Sequence, residues 1–207
     1  MNLKYTVLVV ITLSITILVT SCSVIFNKGT KGSGNVIIQE RTVDFFSEIE
    51  IDGVFNVILS QGNKEAVSIE ADDNLIDLID VSVSGKRLTV DLKSNASIAH
   101  YTELNVFITL VDINKLYVDC VGDVSVQRPL VLKSLILESS GVGDINLALD
   151  CNDLTIDKSG VGDITLSGQT NKFKVNSSGV GDILALELNS KNTVINSSGV
   201  GDVQVNA

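Results

Sequence analysis

The residues best suited to chemistry are concentrated in a tetrapeptide, Gly-Val-Gly-Asp, that recurs through the second half of the chain. There are four full copies and a fifth in which Cys replaces the first Gly, and each copy ends in an aspartate: Asp123, Asp144, Asp163, Asp182 and Asp202. The intervals between these aspartates are 21, 19, 19 and 20 residues. A period this constant is typical of stacked structural repeats.

The aspartates allow two chemical interpretations. In a stack they would lie about 4.8 Å apart, where carboxylates repel one another unless they are neutralised. A calcium ladder would neutralise them, because hard cations take carboxylate and carbonyl oxygens, and these five residues are the calcium candidates. The alternative, which we favour, is that each carboxylate accepts backbone N–H bonds within its turn. We therefore expect no resident metal and no cofactor.

Serines precede the four full copies, but the sequence does not equip them for catalysis. A serine nucleophile needs a base, and the single histidine, His100, lies far away in the first half. A phosphate-binding loop needs a lysine and a following helix, and neither follows the glycines. Lys158 is the only basic residue beside a glycine corner. We therefore predict that the protein is not an enzyme, with a glycan-processing β-helix as a lower alternative.

Cys22 is the strongest candidate for a modification site. Lys4 precedes an uncharged apolar run from residue 7 to residue 19, and Val19-Thr20-Ser21-Cys22 resembles the lipobox of bacterial lipoproteins. We expect residues 1–21 to be a signal peptide, Cys22 to carry the lipid that binds the membrane, and residues 22–34 to be a flexible polar tether. The protein would then be anchored in the cell envelope, at the periplasmic face of the outer membrane or the cell surface. The alternative is an uncleaved anchor helix with an incidental cysteine.

The amino-acid composition limits the classes of molecule that the protein could bind. The net charge is −10, which repels phosphate backbones, so we expect no nucleic-acid binding. The chain has no Trp and only 4% aromatic residues, which weakens a glycan-binding interpretation because glycan surfaces usually display aromatic platforms. An envelope protein and a glycan both remain open as partners.

The repeats that carry the aspartates have the pattern of short strands. Apolar residues alternate on both sides of each copy, as at Leu154 and Ile156 before one corner and Ile164 and Leu166 after it. Alternation of this kind marks strands with one buried face. Antiparallel hairpins would make a meander, whereas a β-solenoid would stack one coil per repeat. We favour an all-β parallel β-helix (β-solenoid) with coils of about 20 residues, because it explains why the same residue recurs at the same place.

The first half is less regular, and residues 52–57 look like a worn copy of the repeat. Strands are expected near residues 66–71, 80–84, 87–92 and 104–110, with one helical turn near 74–79. This half would begin the solenoid and close its first end. Cys120 falls in a glycine corner and Cys151 in the opposite turn, so we expect two free thiols rather than a disulfide.

The order of these pieces resembles a known family. Gly34-Asn35-Val36, Gly53-Val54-Phe55-Asn56-Val57, Asp73-Asn74-Leu75 and Lys86-Arg87-Leu88-Thr89-Val90, followed by the serial repeats, are similar to the "putative auto-transporter adhesin, head GIN domain" family. The resemblance covers residues 35–207 and implies an exported envelope protein with a β-helical fold. It carries no established catalytic or ligand-binding residues. It implies an adhesin-like binding or interaction module, with an envelope structural or stress-sensing protein as the alternative and a calcium-stabilised β-helix as a lower one.

Overall fold

The computed structural model describes residues 29–206, and these form an all-β structure with a single 3₁₀ turn at Ile76–Leu78. The strands are β1 (Thr30–Lys31), β2 (Val36–Arg41), β3 (Glu48–Gly53), β4 (Asn56–Gln61), β5 (Ala66–Asp72), β6 (Ile79–Ser84), β7 (Arg87–Leu92), β8 (Ile98–His100), β9 (Leu104–Leu110), β10 (Lys115–Cys120), β11 (Val124–Val126), β12 (Leu130–Val131), β13 (Ser134–Ser139), β14 (Ile145–Lys158), β15 (Ile164–Ser177), β16 (Ile183–Ser197) and β17 (Val203–Asn206).

The repeats pair with one another in parallel. The first half of β14 pairs with β11, and its second half pairs with β13. On the other side β14 pairs with β15, β15 pairs with β16, and β16 pairs with β17. Ile145, Ile164, Ile183 and Val203 are successive partners in one column, as the sequence predicted. A hairpin meander would have given antiparallel pairing between these repeats.

Alternating branched side chains build the interior. Leu154 and Ile156 on β14 are at most 1% exposed, whereas Asp153 between the turn and Leu154 faces solvent. The same alternation runs through β10, β13 and β15, so successive rows bury their apolar side chains in one hydrophobic core. Burial of each such side chain contributes about 1.5–3 kcal/mol, which makes the hydrophobic core the main source of stability in the repeats.

Residues 52–57, the imperfect copy of the repeat, lie in the stack as their sequence predicted. Gly53 pairs with Cys120 and Val57 with Val124, so β3 and β4 form the first row of the stack. Beyond that row, β7 adds in parallel to β3 and β9 in parallel to β4. The outer strands are antiparallel, with β6 on β7, β5 on β9 and β2 on β5. This change of direction covers the first end of the stack and explains why the first half lacks the repeat.

The described part of the expected tether is held against the body. Thr30 and Lys31 pair with β8, and the backbone N–H of Gly34 donates to the Asp72 carboxylate at 2.6 Å. Asp72 is fully buried and also accepts hydrogen bonds from the N–H and hydroxyl of Thr102. These donors lower the pKa of Asp72 despite its burial. Residues 30–34 therefore belong to the folded body, while Cys22 and the expected signal peptide, residues 1–21, lie outside the described part.

Candidate interaction face

The Gly-Val-Gly-Asp copies form one corner of the structure, where successive repeats approach closely. Valines in neighbouring copies form parallel bridges along the whole row, from Val121 to Val200. Gly162 has φ +125°, and a Cβ atom placed there would lie 2.1 Å from the carbonyl oxygen of Gly143. Only glycine accommodates both the backbone conformation and this contact. The recurrent second glycine is thus required by the stacking of the corners.

The aspartates form a ladder of hydrogen bonds between repeats. The N–H of Asp144 donates to Oδ1 of Asp123 at 2.9 Å, and the N–H of Asp163 donates to Oδ1 of Asp144 at 2.8 Å. Asp182 and Asp202 continue the series, each at 2.8 Å from the carboxylate before it. At the first corner Asn56 takes the place of the carboxylate and accepts from the N–H of Asp123 at 3.1 Å.

This geometry is the arrangement expected of carboxylates that accept backbone N–H bonds, here across repeats rather than within one turn. In the part of the chain that the structure describes, no group of three or more His, Cys, Asp or Glu side chains is arranged to hold a metal ion. The five calcium candidates form a row along the corner. That they hold no calcium stays a prediction.

A buried cation lies beside the aspartate row. Lys158 is 3% exposed, aligns with Ser139 and Ser177 of the neighbouring rows, and donates from Nζ to the carbonyl oxygen of Val180 at 2.6 Å. Desolvation lowers its pKa, and the charges of Asp163 and Asp182 act in the opposite direction. Lys158 continues the alternation of the buried residues Leu154 and Ile156. This alternation is the sequence signal that could have predicted its inward position.

The corner also displays a row of valines that sequence analysis missed. Each is about half exposed or more: Val121 55%, Val142 50%, Val161 49%, Val180 47% and Val200 71%. Four of these valines lie between two glycines and Val121 lies between Cys120 and Gly122, and at this turn the valine side chain points outward. We call the five valines together with the five ladder aspartates the corner face. Contiguous apolar surface of this kind often marks an interaction site.

The serines before the corners line a groove, and His100 lies elsewhere in the structure. The groove has a volume of about 760 Å³ and is lined by rows of Ser, Asp and Asn side chains together with Lys158. The hydroxyl of Ser159 donates to the carbonyl oxygen of Ser139, and that of Ser198 to the carbonyl oxygen of Ser177. His100 lies on β8 and pairs with Lys31 instead. These two hydroxyls therefore join neighbouring repeats.

The two cysteines of the body are free thiols in different columns. Cys120 is buried and pairs with Gly53, whereas Cys151 is partly exposed and pairs with Thr170. Burial, with nearby carboxylates, raises the pKa of Cys120 to about 11, and burial also raises that of Cys151. Neither thiol is placed to act as a thiolate at neutral pH. Over residues 29–206 no helix is long and apolar enough to cross a membrane.

Comparison with known proteins places the chain in a family. A crystal structure of a putative adhesin from Bacteroides fragilis is 30% identical, with a TM-score of 0.83 over 86% of this chain and 84% of that one. A putative adhesin from Parabacteroides merdae is 22% identical, with a TM-score of 0.66 over 86% of this chain and 83% of the other.

A protein from Parabacteroides distasonis described as a putative lipid binding protein shares the fold at 19% identity, with a TM-score of 0.68 over 86% of this chain and 85% of that one. No curated protein matches. The family model described as "Putative auto-transporter adhesin, head GIN domain" matches residues 45–207, and the chain therefore belongs to the head GIN domain family.

Proposed function

We propose that this protein is a non-enzymatic, lipid-anchored envelope protein whose body is a parallel β-helix and whose corner face binds another protein. The parallel pairing of successive repeats, at offsets of 19 or 20 residues in β14 to β16, supports the β-helix. Family membership supports an adhesin-like role in the envelope. Lys158 lies beside Ser139 and Ser177, and its Nζ donates to the carbonyl oxygen of Val180, an arrangement that supports a structural role for this lysine.

The corner face is the observation that carries the proposal. Its valines extend over four intervals of about 4.8 Å each, so the apolar row is on the order of 20 Å long. Covering half of a valine side chain would contribute about 1 kcal/mol, so the five valines together would contribute about 5 kcal/mol to binding. The aspartate row runs alongside. A partner that fits both rows presents apolar side chains flanked by Lys or Arg.

Anchoring rests on Cys22. A lipid at this residue would leave only a short stretch of chain before Thr30, where the body begins to hold the backbone. Several acyl chains on one residue give stable attachment, because each buried CH₂ contributes about 0.8 kcal/mol. The body would then remain within about 30 Å of the membrane, since an extended residue spans at most about 3.6 Å.

The test is a comparison of captured proteins. The wild-type protein and a Val142→Ser/Val161→Ser/Val180→Ser variant are used as bait against envelope extract, with Val131→Ser, at an exposed valine on β12, as the matched control. We expect a protein band that the wild type and the control capture in a salt-sensitive way and the triple variant loses. Equal capture by all three baits would refute the corner face as the binding surface, and selective binding to a glycan array would favour a glycan partner instead.

A further inference from the structure

The groove lined by the serines runs along the stack and contains none of the residues of the corner face. Its columns repeat once per row, so it extends over three intervals of about 4.8 Å and is about 14 Å long. Three of its four rows, on β13, β14 and β15, are paired on both sides. We call it the polar groove, and its two exposed columns are Glu138, Asp157, Asn176 and Asn196, and Ser140, Ser159, Ser178 and Ser198.

The amides of the first column are held in a fixed orientation. Nδ2 of Asn176 donates to Oδ1 of Asp157 at 2.5 Å, and Nδ2 of Asn196 donates to Oδ1 of Asn176 at 3.0 Å. An amide nitrogen carries two N–H groups, so each amide keeps one donor beyond the ladder, and Asp157 keeps its second oxygen as an acceptor. Side chains that are already ordered lose little entropy when a ligand binds. The polar groove therefore offers donors and acceptors at the regular spacing of the rows.

The charges of the polar groove favour an uncharged ligand. Lys158, which also lines it, carries the opposite charge to its neighbour Asp157. The next two rows present only amides and hydroxyls, at Asn176 and Ser178 and at the equivalent positions of β16. An anion would in addition be repelled by the chain as a whole, which has a net charge of −10. A neutral ligand rich in hydroxyl groups fits this lining.

We propose that the polar groove binds an uncharged, β-1,4-linked oligosaccharide that lies along the stack, one sugar to each row. Such a chain is extended, and it advances from one sugar to the next by a distance close to the row spacing of about 4.8 Å. An extended peptide fits less well, because its side chains on one face recur only every 6.6–6.8 Å or so.

The low aromatic content of the chain is compatible with this ligand. An aromatic platform contacts the apolar face of a sugar ring, whereas the amide and serine columns face the hydroxyl groups at the ring edges. Hydrogen bonds to ordered polar groups then provide the binding and the selectivity for the shape of the glycan. The site is separate from the corner face and requires neither its partner nor the lipid at Cys22.

The experiment is isothermal titration calorimetry of the full chain in detergent with chitohexaose, an uncharged β-1,4-linked hexamer. Maltohexaose, whose α-1,4 links coil the chain, is the control for ligand shape. The test variant is Asn176→Ala/Ser178→Ala, which removes one amide and one hydroxyl from the polar groove. The matched control is Asn146→Ala/Thr165→Ala, which removes an exposed amide and an exposed hydroxyl that are partners in the first halves of β14 and β15.

We expect chitohexaose to bind the wild type and the matched control with the same Kd, and to bind Asn176→Ala/Ser178→Ala at least about tenfold more weakly, as the loss of two hydrogen bonds implies. Maltohexaose should also bind the wild type at least about tenfold more weakly. Ser178→Leu fills the groove from an exposed position, and it should abolish binding without changing the melting temperature.

Three results would overturn the proposal: no binding of chitohexaose at millimolar concentration, equal affinity for the two hexamers, or full affinity in both polar-groove variants. The corner-face variant Val142→Ser/Val161→Ser/Val180→Ser should bind chitohexaose as the wild type does. If it alone loses the glycan, the glycan site is the corner face and the polar groove is refuted. Protein capture tests the corner face and calorimetry tests the polar groove, so the two proposals can fail separately.

Discussion

Substitution of Gly162 by alanine tests the close stacking of the corners. The added Cβ atom would lie 2.1 Å from the carbonyl oxygen of Gly143, where real contacts of this type are beyond 3.0 Å, so the corner must move by about 1 Å. The movement would weaken two bonds across the row: Gly162 N–H to the carbonyl oxygen of Val180 at 3.0 Å, and Val161 N–H to that of Gly141 at 2.9 Å.

The expected loss can be estimated from these parts. The φ of +125° costs alanine about 1–2 kcal/mol, the forced movement about 1–3 kcal/mol, and each weakened hydrogen bond up to about 1 kcal/mol. We expect a loss of about 3–5 kcal/mol in the free energy of unfolding. At about 2–4 °C per kcal/mol for a chain of this size, the melting temperature should fall by roughly 6–20 °C.

The control is Gly85→Ala, in the turn between β6 and β7. Gly85 also has a positive φ, +64°, but a Cβ atom there meets nothing within 4 Å. It should cost only about 1–2 kcal/mol, the price of the backbone conformation alone. Urea unfolding and thermal melting followed by circular dichroism measure both variants. Equal losses at the two glycines would refute the argument that contact between corners, rather than φ, requires glycine at residue 162.

Four further measurements follow from the structure. Ile164→Asp should destabilise the fold severely, by more than about 4 kcal/mol, because it buries an unpaired charge, whereas the exposed neighbour Thr165→Asp should cost less than about 1 kcal/mol; similar losses would contradict the alternation. Calcium up to millimolar concentrations should leave the melting temperature almost unchanged, and a saturating rise that Asp163→Asn abolishes would establish a calcium site. Mass spectrometry of the mature protein should show acylated Cys22 at the N-terminus, and an intact Met1 would contradict this. Because the pKa of Cys120 is raised to about 11, its thiol should resist iodoacetamide at pH 8 in the folded protein and react after unfolding without reductant.

Features set by local patterning could be predicted from the sequence. The column of Ile145, Ile164, Ile183 and Val203 follows from alternation and a near-constant period, and residues 52–57 were placed in the stack by their likeness to the repeat. The aspartates were expected to accept backbone N–H bonds within their own turns, and they accept them from the next repeat instead. These bonds join successive repeats, which a reading of one turn at a time does not reveal.

Features set by long-range pairing could not be predicted. A polar segment such as residues 30–34 has the same composition whether it is a free tether or is bonded to β8 and Asp72, because its partners are distant in sequence. That the first half closes the first end was predicted, but the pairing of β7 with β3 and of β9 with β4 was not, because these strands are separated by others in the sequence. The exposed valines were missed because an apolar residue type alone suggests the interior. Their position between two glycines was the available signal.

β14 and β15 pair at a constant offset of 19 residues, and this constant offset indicates how a protein of this kind can become longer or shorter. Residues 145–163 and 164–182 are offset by exactly one row, and each row bonds only to the rows beside it through the same contacts. A duplicated segment of 19 codons would therefore insert a complete row, extending the molecule by about 4.8 Å and adding one valine and one aspartate to the corner. Neither end of the molecule would change. Unequal recombination within the gene could thus change the length of the stack one row at a time, while the surfaces at its two ends stay the same.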